Sequence, residues 1–205
     1  MTRYLGLDVG GTNCKLAMVA AGGAGRPELV ATATIPTGAG DPGDVLARLA
    51  AAATELVAAS GPVAAAGVGL PGLFDEDSGR VVLLPNLPPE WSGHEVAGPL
   101  AATLGVPVAL LNDARAFTLA ESRMGAAAGC PTVVCLTLGT GVGGGVVVGG
   151  GVAAAGEGLL GPLRAAVAAA APLVDPDAYE IVPAALGPAA GAIGAALWAR
   201  ERTGP

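Results

Sequence analysis

Three stretches of this 205-residue chain combine residue types that could handle phosphate. In Asp8-Val9-Gly10-Gly11-Thr12-Asn13, paired glycines let backbone N–H groups approach an anion, and the aspartate ahead of them can hold a hydrated magnesium ion. The same residues also suit an ordinary hairpin whose glycines only permit the turn. Leu138-Gly139-Thr140-Gly141-Val142-Gly143-Gly144-Gly145 contains G-x-G-x-x-G, which in a dinucleotide-binding unit would open a helix. Here Val146-Val147-Val148 follows and favours a strand, so a second phosphate-facing hairpin is expected, with a flexible glycine loop as the plain alternative. Asn112-Asp113 falls at the end of an expected strand and the start of an expected helix. That is where α/β sheets gather ligands and where a carboxylate can act as general base. Both residues are equally suited to capping the helix, whose N-terminus would stabilise the carboxylate and weaken it as a base.

Two glycine hairpins and an intervening Asn-Asp suggest phosphates held between two lobes, with a base facing a substrate hydroxyl. No G-x-x-x-x-G-K-[ST] occurs, so a P-loop is excluded. The only histidine, His94, is expected in a helix as a surface or packing residue, so a Ser-His-Asp triad is not expected. Cys14, Cys130 and Cys135 lack metal-ligand spacing and read as small core residues in a reducing cytoplasm.

Strand ends and helix starts must position these groups. Tyr4 to Val9, Cys14 to Ala20 and Leu29 to Thr34 read as strands, and Asp41-Pro42 opens a helix that stops near Gly61. Val63 to Leu70 and Val81 to Leu84 read as strands, and Ser92-Gly93-His94-Glu95 has capping-box spacing for a helix ending near Gly105. Val106 to Leu111 is an expected strand, Asp113 to Met124 a helix and Thr132 to Leu138 a strand. Beyond Gly145 the expectation is a minimal strand at Val146 to Val148, then helices over Gly151 to Ala171 and Pro183 to Arg202. The order implies a mixed sheet with helices packed on it.

Composition narrows the class. Hydrophobic residues make up 52% and charged residues 13%, which opposes disorder despite 34 glycines and 17 prolines. With 3% aromatics, the core must be built from Ala, Val and Leu. The net charge is −7 and Lys15 is the only lysine, so nucleic acid and anionic membrane surfaces are not expected partners. Residues 124–156 are uncharged, but the glycines crowded into that run disfavour a membrane helix, and no secretory h-region opens the chain.

Asp8-Val9-Gly10-Gly11-Thr12-Asn13, Gly67-Val68-Gly69-Leu70-Pro71-Gly72, Pro85-Asn86-Leu87 with Trp91, Asn112-Asp113-Ala114 with Glu121, and Leu136-Thr137-Leu138-Gly139-Thr140-Gly141 occur in the order seen in ROK family sugar kinases. From residue 4 to 145 the chain resembles bacterial glucokinases of that family. The resemblance implies an α/β, actin-like ATPase (ribonuclease H-like) fold, with ATP and Mg2+ as cofactors, a small-molecule sugar as partner and a cytoplasmic location. It implies that Asp113 takes the proton from the sugar hydroxyl and that Asn112, Asn86 and Gly72 line the sugar pocket. Gly10, Gly11, Thr12, Gly139, Thr140 and Gly141 would face the ATP phosphates, with Asp8 near magnesium and in contact with it through water. Gly149, Gly150 and Gly151 would form the adenosine-facing turn.

The resemblance breaks after Gly145. The family's Glu-x-Gly-His sugar motif and its zinc-binding cysteine cluster are not matched: no histidine follows His94 and no cysteine follows Cys135, so the structural zinc is expected to be absent. The tail from Val146 resembles the family's C-terminus, with Ile181 to Gly187 and Ala190 to Ala196 as its closing segment. A rival alignment takes Ala155-Gly156-Glu157 as the start of the sugar motif, with Leu160 in the histidine's place. On the order of a hundred residues would be missing relative to a full two-lobed kinase, with the near repeats Gly143 to Val148 and Gly149 to Val152, Gly-Gly-Gly-Val in each, as the junction. The expected division is a complete first lobe over 1–125 and a second-lobe remnant over 126–205. The expected function is ATP-dependent hexose phosphorylation, impaired by the shortening. The alternative is a non-catalytic sugar- or nucleotide-binding module or regulator effector domain. The apolar tail is compatible with a homodimer.

Overall fold

The computed structural model describes residues 1–22, 26–38, 40–75, 78–84, 88–130, 133–138, 142–146, 148–149, 157–170 and 181–203. β1 (Thr2–Val9), β2 (Asn13–Ala21) and β3 (Glu28–Pro36) form an antiparallel meander. α1 (Pro42–Ser60) follows, with the Asp41 carboxylate accepting the Asp44 N–H at 2.9 Å as its cap. β4 (Ala65–Leu70) pairs parallel with β1; β5 (Leu73–Asp75) and β6 (Arg80–Leu83) make a small hairpin. After α2 (Ala97–Leu104), β7 (Val108–Asn112) pairs parallel with β4 and runs directly into α3 (Asp113–Arg123). The main sheet therefore has the order β3-β2-β1-β4-β7. β8 (Val134–Leu138), β9 (Val142–Val146) and β10 (Val148–Gly149) form a second sheet, followed by α4 (Glu157–Ala170) and α5 (Ala190–Thr203).

Period-two alternation sends side chains to opposite faces of the main sheet. Leu5, Leu7, Leu16 and Val68 bury against Leu49 of α1 and Leu100 of α2, whereas Tyr4, Ala17, Val19 and Ala65 bury against Phe117 of α3 and Ile193 and Leu197 of α5. On the second face, Gly6 and Gly67 sit where any Cβ would collide with the α5 backbone at Ala192 and Ala195, and Gly194 likewise abuts Ala116 of α3. Small residues on both sides bring helix and sheet backbones into direct contact, which substitutes for the bulk an aromatic-poor chain lacks.

Two expected helix starts are displaced. Ser92 and Glu95 do not cap α2: the Ser92 hydroxyl donates to Val82 O and Glu95 pairs with Arg80 at 3.2 Å. The backbone of residues 93–96 runs beside β6 through Gly93 N–H to Val81 O, Val81 N–H to His94 O and Val96 N–H to Gly79 O, so the helix waits until Ala97. His94 consequently lies outside any helix, edge-on to the buried Trp91 ring at 6.3 Å. α5 starts at Ala190 rather than Pro183, because Gly187 takes φ +59° and opens a short 3-10 turn at Gly187–Ala189. Cys14 and Cys135 are buried as expected, but Cys130 is exposed and is not a core residue.

Candidate active site

The parallel strands β1, β4 and β7 end level with one another. Asp8 is in register with Gly69, Gly69 with Leu111, and Leu70 with Asn112. At about 4.8 Å per strand step, the ends of β1 and β7 lie about 10 Å apart, so Asp8 and Asn112-Asp113 stand at the same end of the sheet. Asn112 fixes the β7 to α3 junction. Its Oδ1 accepts the N–H groups of Ala114 (3.0 Å) and Arg115 (3.3 Å), and its Nδ2 donates to Gly72 O at 3.2 Å. Asn112 and Gly72, both expected in the sugar pocket, are thereby in direct contact.

Asp113 opens α3, and its Oδ1 accepts the Ala114 N–H at 2.8 Å. Burial raises its pKa, and the backbone hydrogen bond at the helix start only partly opposes this. The helix N-terminus therefore does not make it the weaker base expected from the sequence; desolvation wins. Burial likewise pushes the Asp8 pKa up to about 6, with Lys15 lowering it and Asp113 raising it. Lys15 Nζ lies 4.0 Å from Asp8 Oδ2, directly across the β1–β2 pair. Both carboxylates are thus partly desolvated, and the charge of Asp113 adds to the rise at Asp8. Among the described residues, no group of three or more His, Cys, Asp or Glu is placed to hold a metal.

The turn after β1 is held from β3. Gly10 N–H donates to Asn13 O at 3.2 Å, while the buried Thr37 donates its hydroxyl to Gly10 O at 2.6 Å and its N–H to Thr12 O at 2.9 Å. Gly11 and Thr12 are exposed at the tip. β8 and β9 pair antiparallel with Leu138 opposite Val142, so the second glycine stretch joins two strands and does not open a helix. Gly149 lies in β10, paired with Thr137. Asn86, Gly139, Thr140, Gly141, Gly150 and Gly151 lie outside the described residues.

Two participants carried no local signal. Thr37 reaches the turn from 27 positions away. Gly191 of α5 backs onto Asp8 so closely that a Cβ there would come within 2.6 Å of Asp8 Oδ2. Only the alternation of β1, which puts Tyr4, Gly6 and Asp8 on one face, hints that a helix must spare room for the carboxylate.

The family model for the ROK family matches residues 4–163. The chain belongs to the ROK family. It is 37% identical to the glucokinase of Thermotoga maritima over 149 residues, which is 72% of this chain and 45% of that protein. Identity to the N-acetyl-D-glucosamine kinase of Yersinia enterocolitica is 34% over 147 residues, covering 72% of this chain and 46% of the relative. The chain thus spans about half the length of the curated relatives it matches. In fold it is similar to a ROK family glucokinase from Streptomyces griseus solved with glucose and AMPPNP, with a TM-score of 0.78 at 20% identity, over 97% of this chain and 99% of that one. The five-stranded mixed sheet is the actin-like ATPase lobe expected from the motifs. The ROK match runs on to Leu163, past the Gly145 at which the sequence resemblance was expected to break.

Proposed function

We propose that this chain carries the phosphate-facing and hydroxyl-facing half of an ATP-dependent hexose kinase, with activity well below that of a two-lobed ROK enzyme. The observation that carries this reading is the level placement of Asp8 and Asn112-Asp113 at the ends of β1 and β7, the two parallel strands that flank β4, beside the glycine turn at Gly10. In the reaction, a sugar hydroxyl gives its proton to an Asp113 oxygen as its own oxygen attacks the γ-phosphorus, and the bond to the leaving ADP oxygen breaks. Asn112, bonded to Gly72 O, orients that hydroxyl, and the Gly10-Gly11-Thr12 backbone receives phosphate. Magnesium, when bound, would neutralise phosphate charge beside Asp8.

The relatives' names favour glucose and N-acetylglucosamine as substrates to try. The extent of the family match supports the alternative register in which Glu157 belongs to the sugar motif. In that register the histidine's place is taken by Leu160, which is buried with Leu163 and Ile181, so part of the sugar's usual contacts would be lacking. The structural match takes in nearly all of this chain, α5 included, while the sequence match to the family stops at Leu163. An internal loss between the matched stretch and the closing helix accounts for both.

Hexose-dependent ADP release from the purified chain tests the proposal. The expected result is a slow, sugar-dependent rate that falls a further 100-fold or so in Asp113→Asn, the usual scale for losing a general base. Release that ignores both the sugar and the substitution would contradict it. A sugar-dependent thermal shift with no ADP release would instead favour the binding-module reading.

A further inference from the structure

Among the described residues, Thr37 and Glu121 are the polar side chains buried most deeply, at 3% and 0% exposure. Glu121 lies at the far end of α3, whereas Thr37 stands directly behind the glycine turn. Its hydroxyl donates to Gly10 O and its N–H to Thr12 O, so both carbonyls of the turn are drawn inward. The Gly10–Gly11 peptide is trans, as no cis bond occurs among the described residues. A trans peptide points its N–H opposite to its C=O. With Gly10 O turned toward Thr37, the Gly11 N–H faces the open side, where Gly11 and Thr12 are exposed.

Two further groups hold Thr37 itself. An Arg48 guanidinium nitrogen from α1 donates to Thr37 O. Cys14 Sγ lies 3.5 Å from Thr37 Oγ1, and since that hydroxyl gives its proton to Gly10 O, the thiol is the donor in this contact. The chain of bonds runs from α1 and β2 through one side chain to the turn.

We infer that Thr37, braced by Arg48, is a positioning residue that aims the Gly11 N–H at a nucleotide phosphate. The inference rests on the proposed kinase reading for the identity of the ligand, but the clamp itself exists without ligand. Thr37→Val keeps the shape and removes the hydroxyl; Thr37→Ser keeps the hydroxyl and removes the methyl.

The test measures Mg-ATP and glucose binding by calorimetry, together with amide hydrogen exchange of the ligand-free turn. Thr37→Val is expected to weaken Mg-ATP about 10-fold and leave glucose within about 2-fold, because Asn112 and Gly72 are held separately, and Thr37→Ser restores Mg-ATP binding. Exchange at Gly11 and Thr12 quickens in the valine variant and not in the serine variant. Equal Mg-ATP affinity in all three proteins, or parallel loss of both ligands, overturns the inference. If the wild-type chain binds no Mg-ATP, the kinase reading falls, and exchange alone decides the clamp: unchanged rates in Thr37→Val overturn it. Should Thr37→Val fail to fold, Arg48→Gln carries the same comparison, with a selective loss of Mg-ATP expected and unaltered binding counting against the clamp.

Discussion

Asp8 carries its carboxylate on the sheet face that α5 covers, where burial pushes its pKa from 3.8 to about 6. The folded chain then holds this proton more tightly than the unfolded chain. Stability therefore falls as pH rises from about 4 through about 6 and levels off above, the two-unit gap corresponding to at most about 3 kcal/mol. Asp8→Asn is expected to raise stability at pH 8 by up to that amount and to give no gain below pH 4, read from urea denaturation at each pH. An equal gain at both values would show that desolvation of the charge is not the cause. The same variant should lose Mg-ATP-dependent stabilisation, trading function for stability. Asn112→Ala removes a helix cap worth about 1 kcal/mol along with the Gly72 contact, and should weaken hexose binding more than nucleotide binding in a paired titration. The placement of Asp8, Asn112 and Asp113 at strand ends and a helix start was legible in the sequence, because such ends leave local marks. Thr37 and Gly191 were not, since each acts on a residue distant in the chain and is in itself an ordinary threonine or glycine.

α5 joins the site to the rest of the fold through close backbone packing. Gly67 faces Ala195 O across that contact, and Gly67→Ala should cost about 3 kcal/mol by forcing the helix off the sheet. Circular dichroism melts would check this; a neutral effect would mean the helix adjusts freely. Glu121 secures the approach to α5, accepting N–H groups from Ala126 (2.8 Å), Ala185 (3.1 Å) and Leu186 (2.8 Å). In Glu121→Gln an amide NH2 must face at least one of these donors, at a cost of about 2–3 kcal/mol in chemical denaturation. A loss confined to a few tenths would show that water replaces the bonds. The elements themselves were largely readable: the meander, the Asp41 cap and the β7 to α3 junction follow from alternation and capping residues. The misplaced α2 start has a specific reason. Ser92 and Glu95 have capping spacing, but β6 offers them Val82 O and Arg80, partners that no local pattern discloses.

At the scale of the molecule, a five-stranded actin-like sheet is joined by a smaller three-stranded sheet and the helices α4 and α5. The chain aligns to 45% of a Thermotoga maritima glucokinase, yet its closing helix packs on the first sheet and walls in Asp8. The ROK motifs made this legible as far as Gly145; the packing of α5 over Gly6 and Gly67 became visible only in three dimensions, because small residues carry little pattern. The most direct measurement is a thermal-shift titration of the intact chain with Mg-ATP and with glucose or N-acetylglucosamine, each alone and then together. The account predicts a rise in Tm with either ligand, the Mg-ATP rise being lost in Asp8→Asn and the hexose rise in Asn112→Ala. No shift with any of them, or shifts that survive both substitutions, would contradict it.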